Sequence, residues 1–278
     1  MPPTAGSDTQ TLRDRTIRDF GDQWSRYEGN QGWYGSGELF RDIVEPLLGP
    51  DDLRGAGVVE IGSGTGRIVG MLLGAGVGTV TAVEPSADAF AVLERNVAAM
   101  PDGDRVVLQN VRGDAWSTET PPDLVVSIGV IHHIPDPIPV LDRAFAALRP
   151  GGRLMIWVYG HEGNRLYLSV VQPVRAVTTR LPHGMLRGVV EVFYRLLQAY
   201  RTIGRLLPLP QRSYIENVLW KFSPAKRRLV IYDQLNPAHA RYYRRHEVEQ
   251  LLADRGFVDV RLHHRHGYSW SAVATKPA

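Results

Sequence analysis

The sequence predicts an α/β protein built on a mostly parallel sheet with helices on both faces. Three observations predict it. Between residues 57 and 160, short apolar strands alternate with helical stretches. The first of those strands runs straight into a glycine-rich turn that opens a helix. The alternation returns near residue 240 and closes in two strands joined around Gly267.

In chain order, residues 1–10 are expected to form a disordered tail, and residues 11–54 N-terminal helices. Phe20, Trp24, Tyr27, Trp33, Tyr34 and Leu39 follow a helical pattern there. Gly29, Gly32, Gly35 and Gly37 divide that pattern into two helices joined by a glycine-rich loop. Residues 55–160 form the core unit. Its strands are Val58 to Ile61, Thr79 to Glu84, Val106 to Asn110, Asp123 to Ile128 and Arg153 to Tyr159. A helix from Arg67 to Leu73 follows the first strand. Ser86 is placed to cap a helix running to Met100, and a third helix covers Leu141 to Leu148. Residues 161–232 break the rhythm with a long amphipathic helix over Met185 to Leu207. Residues 233–278 return to it, with a helix from Arg244 to Arg255, then strands at Val258 to Leu262 and Ser269 to Thr275.

The 278 residues suit one large or two small domains, and 44% apolar with 22% charged residues describes a chain that buries a real core. Disordered, collagen-like and coiled-coil chains are excluded. With no cysteine, so are disulfide frameworks, thiolate metal sites, iron–sulfur clusters and a cysteine nucleophile. The first residues lack a basic stretch followed by an apolar run, and no uncharged apolar run reaches the ~18 residues of a membrane span. A cytoplasmic protein is expected. Charge is divided unevenly. Residues 1–160 hold 13 arginines against 21 acids, whereas residues 161–278 hold 19 basic residues against 8 acids. Most of the excess lies in 161–232, so the two parts are expected to face different partners.

Glu60-Ile61-Gly62-Ser63-Gly64-Thr65-Gly66 sits where a strand becomes a helix. Glycines there let the backbone turn tightly and approach a ligand, although a tight connection alone would also explain them. The spacing is G-x-G-x-G, and Arg67 stands where the dinucleotide fingerprint needs its third glycine. No G-K-[ST] follows, so a nucleoside-triphosphate loop is excluded as well. Glu84 ends the next strand, 20 residues after Gly64, where an acid can accept from two ribose hydroxyls. Asp114 follows the third strand, where a carboxylate can accept from an adenine amino group. Each acid alone reads as a solvated loop residue. Three acids after three successive strands are a sharper signal.

These segments resemble the class I S-adenosylmethionine-dependent methyltransferases over residues 55–160 and, more loosely, 240–278. Val58 to Gly66 resembles the family's first motif and Val80 to Ser86 its second. Gly113-Asp114-Ala115 resembles the adenine-contacting segment, Asp123 to Pro135 the fourth motif, and Leu148 to Leu154 the turn before the fifth strand. The resemblance implies a Rossmann-like sheet of seven strands, the last antiparallel, with a helical insert between strands five and six. It implies S-adenosylmethionine as cofactor. Gly62, Ser63, Gly64 and Gly66 would lie along its methionine part, and Glu60 would orient the amino group. Glu84 with Pro85 would hold the ribose, Asp114 and Ala115 the adenine, and Ser127 and Ile128 would line the sulfonium side.

Methyl transfer from a sulfonium is an in-line displacement, so positioning supplies much of the rate. A general base helps where the acceptor must lose a proton. His132 and His133 follow the fourth strand and are the candidates, against the plainer reading of a structural histidine pair. His263, His264 and His266 are expected on a strand, where alternation puts His264 and His266 on one face and His263 on the other. No carboxylate pattern supports a metal there, and none is expected. Trp24, Tyr27, Trp33 and Tyr34 either close over the cofactor or pack two helices on the sheet. Packing is favoured for Trp24, and Tyr34 is left open.

The basic insert has three readings: a lid shaping the acceptor pocket, a peripheral contact with the inner membrane face, or a polyanion surface helped by Lys226-Arg227-Arg228. The leading functional expectation is methyl transfer to a small-molecule or lipid-linked metabolite. The alternatives are a tRNA- or RNA-modifying enzyme and a protein that binds the cofactor without catalysis. Nucleic acid ranks behind the small acceptor because no recognised RNA-binding motif is present.

Overall fold

The computed structural model describes residues 5–24, 28–236 and 239–278. Helices α1 (Ala5–Trp24), α2 (Gly37–Val44) and α3 (Pro50–Leu53) precede strand β1 (Gly57–Ile61). Then come α4 (Arg67–Gly74), β2 (Thr79–Val83), α5 (Ala87–Ala98), β3 (Val106–Gln109), β4 (Leu124–Ile128), α6 (Ile138–Ala147) and β5 (Arg153–Tyr159). The insert contributes α7 (Arg165–Thr178), α8 (His183–Gly204), α9 (Arg212–Asn217) and α10 (Pro224–Leu235). Helix α11 (Arg245–Ala253) leads into β6 (Val258–Arg265) and β7 (Ser269–Thr275).

The seven strands form one sheet in the order β3-β2-β1-β4-β5-β7-β6. Strands β1 to β5 are parallel, and β7 runs antiparallel between β5 and β6. The chain leaves β1 toward β2 on one side and returns to β4 on the other. That reversal makes a crevice at the carboxyl ends of β1 and β4, where ligands bind in open α/β sheets. The burial alternates as a two-sided sheet demands. Val58, Val80, Leu124, Val126, Met155 and Val273 pack with α2, α4 and part of the insert. Val59, Ile61, Val125, Leu154, Ile156 and Ala272 pack with α6 and α11. The Ser86 hydroxyl accepts from the Ala89 amide at 3.4 Å and caps α5 as expected.

Two stretches differ from expectation. Helix α1 begins at Ala5, so residues 5–10, read as tail, are helical, while residues 1–4 lie outside the described residues. The stretch is polar and carries little apolar signal of its own; it continues a helix whose C-terminal part, at Gly21, meets the start of α5. Strand β6 runs on to Arg265 and then turns, with His266 at φ 48°. His266 therefore shares no strand face with His264. It bonds to Asp42 (Nε2 to Oδ1, 2.8 Å), while the His264 ring stacks on Trp270 at 4.2 Å. No cluster of three metal-ligating side chains occurs among the described residues. The insert helices continue through α10 to Leu235, past the expected boundary at 232.

Candidate functional site

The glycine turn after β1 is pinned from beneath. The amides of Gly62 and Ser63 both donate to the Val83 carbonyl, at 2.8 and 3.0 Å. Gly62, Gly64 and Gly66 all have positive φ, which L side chains rarely adopt. At Gly62 a Cβ would also stand 2.4 Å from a Val130 methyl, so the loop after β4 closes directly on this backbone.

Two acids meet this turn. The Glu84 carboxylate accepts from the Gly64 amide through Oε2 and from the Ser86 amide through Oε1, each at 2.9 Å. Burial pushes its pKa up to about 7 against the pull of those two amides. Each oxygen keeps a second lone pair for a ligand hydroxyl. Glu60 is also buried, its pKa pushed up to about 7 by desolvation, and its Oε2 has no hydrogen-bond partner among the described residues. A buried carboxyl oxygen left unpaired is costly, so this atom is placed for a donor that arrives with a ligand.

A cavity of about 790 Å³ opens from these acids. Glu60, Gly62, Ser63, Gly64, Glu84 and Pro85 line it, as do Asp114 and Ile128. Gly66, Ala115 and Ser127 do not. Gly66 turns the chain into α4 as its N-cap, Ala115 is exposed, and the Ser127 hydroxyl donates to the Ile61 carbonyl at 3.3 Å inside the sheet. Asp114 is held by a two-pronged ion pair with Arg112, at 2.9 and 2.7 Å, and that pairing keeps its carboxyl below the usual range.

The N-terminal aromatics divide. Trp24 packs against the core as expected and also lines the cavity at the glycine turn, where a Cβ on Gly64 would stand 3.5 Å from its indole nitrogen. Tyr34 is buried on the cavity wall, with the Arg67 guanidinium 4.6 Å and the Lys226 ammonium 4.3 Å from its ring centre. Trp33 packs on Phe222 at 5.1 Å. Tyr27 lies outside the described residues.

Far from the glycine turn, most of the wall comes from the insert and is apolar, including Val170, Val171, Phe193, Leu196, Leu197 and Phe222. Two polar groups interrupt it, one around Asn164, Gln211 and Tyr268 and one around Asp233. Asp233 of α10 accepts from Gln23 Nε2 at 3.0 Å and from the Tyr159 hydroxyl at 2.8 Å. Gln234 donates to that hydroxyl at 2.7 Å and accepts from Tyr167 and Tyr242 at 2.8 and 2.9 Å. Burial raises Tyr159 well above a normal phenol, so it stays a neutral donor.

His133 also lines the cavity, with Nδ1 2.9 Å from the His239 carbonyl. A carbonyl only accepts, so Nδ1 carries the proton and Nε2 is left as an acceptor. Burial lowers its pKa although Asp233 opposes the shift, so the ring is neutral at pH 7. His132 is enclosed instead, 3.9 Å from the Tyr159 ring centre, with neither nitrogen hydrogen-bonded among the described residues. It does not line the cavity. The Asp233 cluster escaped the sequence reading. Its members come from α1, β5, α7, α10 and the segment before α11, and an adjacent Asp and Gln on a helix carries no signal by itself.

Known proteins share this architecture. A family model described as a methyltransferase domain matches residues 34–262. The tRNA U34 carboxymethyltransferase of Pseudoalteromonas translucida is 31% identical over 123 residues, covering 44% of this chain and 37% of its own. The ubiquinone biosynthesis O-methyltransferase of Pseudomonas fluorescens is 24% identical over 135 residues, covering 48% of this chain and 56% of its own. The chain thus spans about a third to a half of the length of the curated relatives it matches. Among solved structures, the magnesium protoporphyrin IX methyltransferase of Synechocystis PCC 6803 with bound SAH superposes with a TM-score of 0.56. It is 16% identical, and the match covers 97% of this chain and 99% of that one.

Proposed function

Since this chain belongs to the class I S-adenosylmethionine-dependent methyltransferase family, we propose that it methylates a small-molecule or lipid-linked acceptor, apolar over most of its length and carrying one ionisable polar atom. The observation that carries this reading is that one continuous cavity joins the glycine turn, Glu60 and Glu84 to a mostly apolar chamber under the insert, with the Asp233 cluster in its wall.

The residues present fit the cofactor. Glu84 keeps free lone pairs for a ribose diol, the orphaned Glu60 oxygen suits an ammonium group, and Asp114 stands at the third strand's end, where an adenine amino group would be met. When bound, S-adenosylmethionine supplies an activated methyl group for in-line displacement. The chain's own part is positioning and exclusion of water. Apolar side chains of α7 and α8 hold the acceptor body. Asp233 and Tyr159 orient its polar atom. His133, neutral and with Nε2 free to accept, takes the proton that the acceptor loses.

The tRNA reading of some relatives receives less support. Part of the insert's charge is met internally, by Arg201 on Glu216 at 2.9 Å and Arg228 on Glu191 at 2.7 Å, and its large exposed apolar residues are aliphatic rather than the aromatic platforms that stack bases. The test is calorimetric titration with S-adenosylhomocysteine, followed by turnover with a panel of amphiphilic phenols, amines and quinols. Tight binding and transfer to an amphiphile support the proposal. Binding with transfer only to tRNA moves the function to RNA, and binding without transfer to any acceptor leaves a sensor.

A further inference from the structure

Helices α7 and α8 each keep an apolar stripe in water. On α8, Met185, Val192, Leu196 and Ile203 recur every one or two turns on one exposed face, and Leu206, 84% exposed, extends that face past the helix end. On α7, Leu166, Val170 and Val177 do the same. The α8 stripe from Met185 to Ile203 runs about 27 Å at the rise of an α-helix. Large apolar side chains exposed in a row along one helix face differ from the singly scattered exposure of ordinary surfaces and mark a candidate interaction face.

The stripes lie in a strongly basic setting. Residues 163–212 contain eight arginines and one acid, Glu191. Glu191 is taken by Arg195 and Arg228. Arg165, Arg180 and Arg187 are exposed with no ion pair to a carboxylate among the described residues, while Arg205 and Arg212 are exposed and lie in the field of Glu216. The same surface meets the cavity. Leu166, Val170 and Leu196 are exposed and also line the cavity, so part of its rim is aliphatic.

Three occupants would bury such a face, and the chemistry separates them. A second copy of this chain would set arginine against arginine across a self-complementary interface. Single-stranded RNA would use the charge but needs aromatic platforms, and the exposed stripe residues are all aliphatic. An anionic bilayer uses both features: guanidinium groups meet lipid phosphates while aliphatic side chains enter the acyl boundary. No helix among the described residues is long and apolar enough to cross a membrane, so contact would be in the interface plane.

The geometry points to a docking surface for an anionic lipid bilayer, formed by the exposed aliphatic stripes and arginines of α7 and α8, with the acceptor entering the cavity from the lipid phase. The entry route rests on the methyltransferase reading, whereas the docking surface does not. The experiment is co-sedimentation of the full chain with vesicles of phosphatidylcholine alone or mixed with phosphatidylglycerol. Wild type is expected to partition about tenfold or more in favour of the anionic vesicles, with salt weakening the preference. Met185→Asp with Leu206→Asp, at positions outside the cavity, is expected to lower that partition about tenfold. Arg165→Glu with Arg180→Glu, which flank the α7 stripe outside the cavity, is expected to lower the anionic preference about tenfold. Thermal melts and S-adenosylhomocysteine titration of each variant should match wild type, which keeps the cofactor site out of the comparison. Wild type left in the supernatant with anionic vesicles at low salt overturns the surface. So does vesicle binding untouched by the aspartates. A dimer that the aspartates dissociate, with no vesicle binding, assigns the face to a second copy and overturns it too. Loss of S-adenosylhomocysteine binding with vesicle binding intact sinks the methyltransferase reading alone.

Discussion

Glu84 reaches back 20 residues to accept the Gly64 amide at 2.9 Å, so one carboxylate ties the second strand's end to the turn after the first. The same side chain holds the Ser86 amide that leads into α5. Its removal therefore has two effects. Glu84→Ala leaves two buried amides unpaired, and its melting temperature should fall. The variant should also bind S-adenosylhomocysteine at least about tenfold more weakly, a loss of about 1.4 kcal/mol. Calorimetry and a thermal melt read the two effects separately, and wild-type affinity in the variant would remove Glu84 from the cofactor site.

Glu60 and Glu84, both pushed up to about 7, make binding depend on pH. A folded-state acid raised above its unfolded value of about 4.5 holds a proton that the unfolded chain has released. The ligand-free protein therefore loses stability as pH rises from about 4.5 through about 7. A ligand bringing hydroxyl and ammonium donors prefers the ionised carboxylates, so affinity should rise over the upper part of that window with release of protons. Titrations in buffers of different ionisation enthalpy measure the release, and a proton count of zero at pH 6 would contradict it.

The Asp42–Arg265–His266 group should set acid stability. The His266 ring and the Arg265 guanidinium bring the Asp42 carboxyl down to about 2 despite partial burial. A depressed acid contributes stability above its unfolded pKa, here near 3.8, and loses it as pH falls toward the folded value. Wild type should lose melting temperature steeply between about pH 4 and pH 2. Asp42→Asn should start lower and show a shallower fall. Parallel slopes for the two proteins would exclude this group as a source of acid sensitivity.

Gly62→Ala carries both a steric and a conformational penalty, since its φ is +80° and the new methyl would meet Val130. The substitution should destabilise by about 2–4 kcal/mol in urea melts. Val130→Ala in the same chain should recover the steric part and leave the backbone strain of about 1 kcal/mol or more. Complete recovery in the double variant would mean that the positive φ costs nothing here.

His133→Gln should lower kcat by about 10²–10⁴-fold for an acceptor that must lose a proton, with S-adenosylhomocysteine affinity unchanged. Asp233→Asn should act mainly on KM for the acceptor, because Asp233 orients while His133 moves the proton. Amine acceptors that are already deprotonated should be insensitive to His133→Gln, and equal loss for both acceptor classes would assign the ring a structural role.

The order of elements was legible in the sequence because each rests on local chemistry. Val58 to Ile61 is short, apolar and followed by a turn that glycines make, and Ser86 caps its helix by a bond three residues long. Glu60, Gly62, Ser63, Gly64 and Glu84 could be placed together because consecutive parallel strands bring their carboxyl ends to one edge. That rule needs no knowledge of packing. Tertiary structure decided the rest. His132 and His133 are adjacent and chemically alike, yet one is sealed behind Tyr159 and the other faces the cavity. Asp233 becomes a site residue only because α10 packs against α7 and α8 and carries it to Tyr159. His266 leaves its strand face because Asp42, 224 residues away, holds it in a turn. These outcomes depend on contacts between distant segments, whose geometry is set by how buried surfaces fit, and no local pattern of residue types encodes that fit.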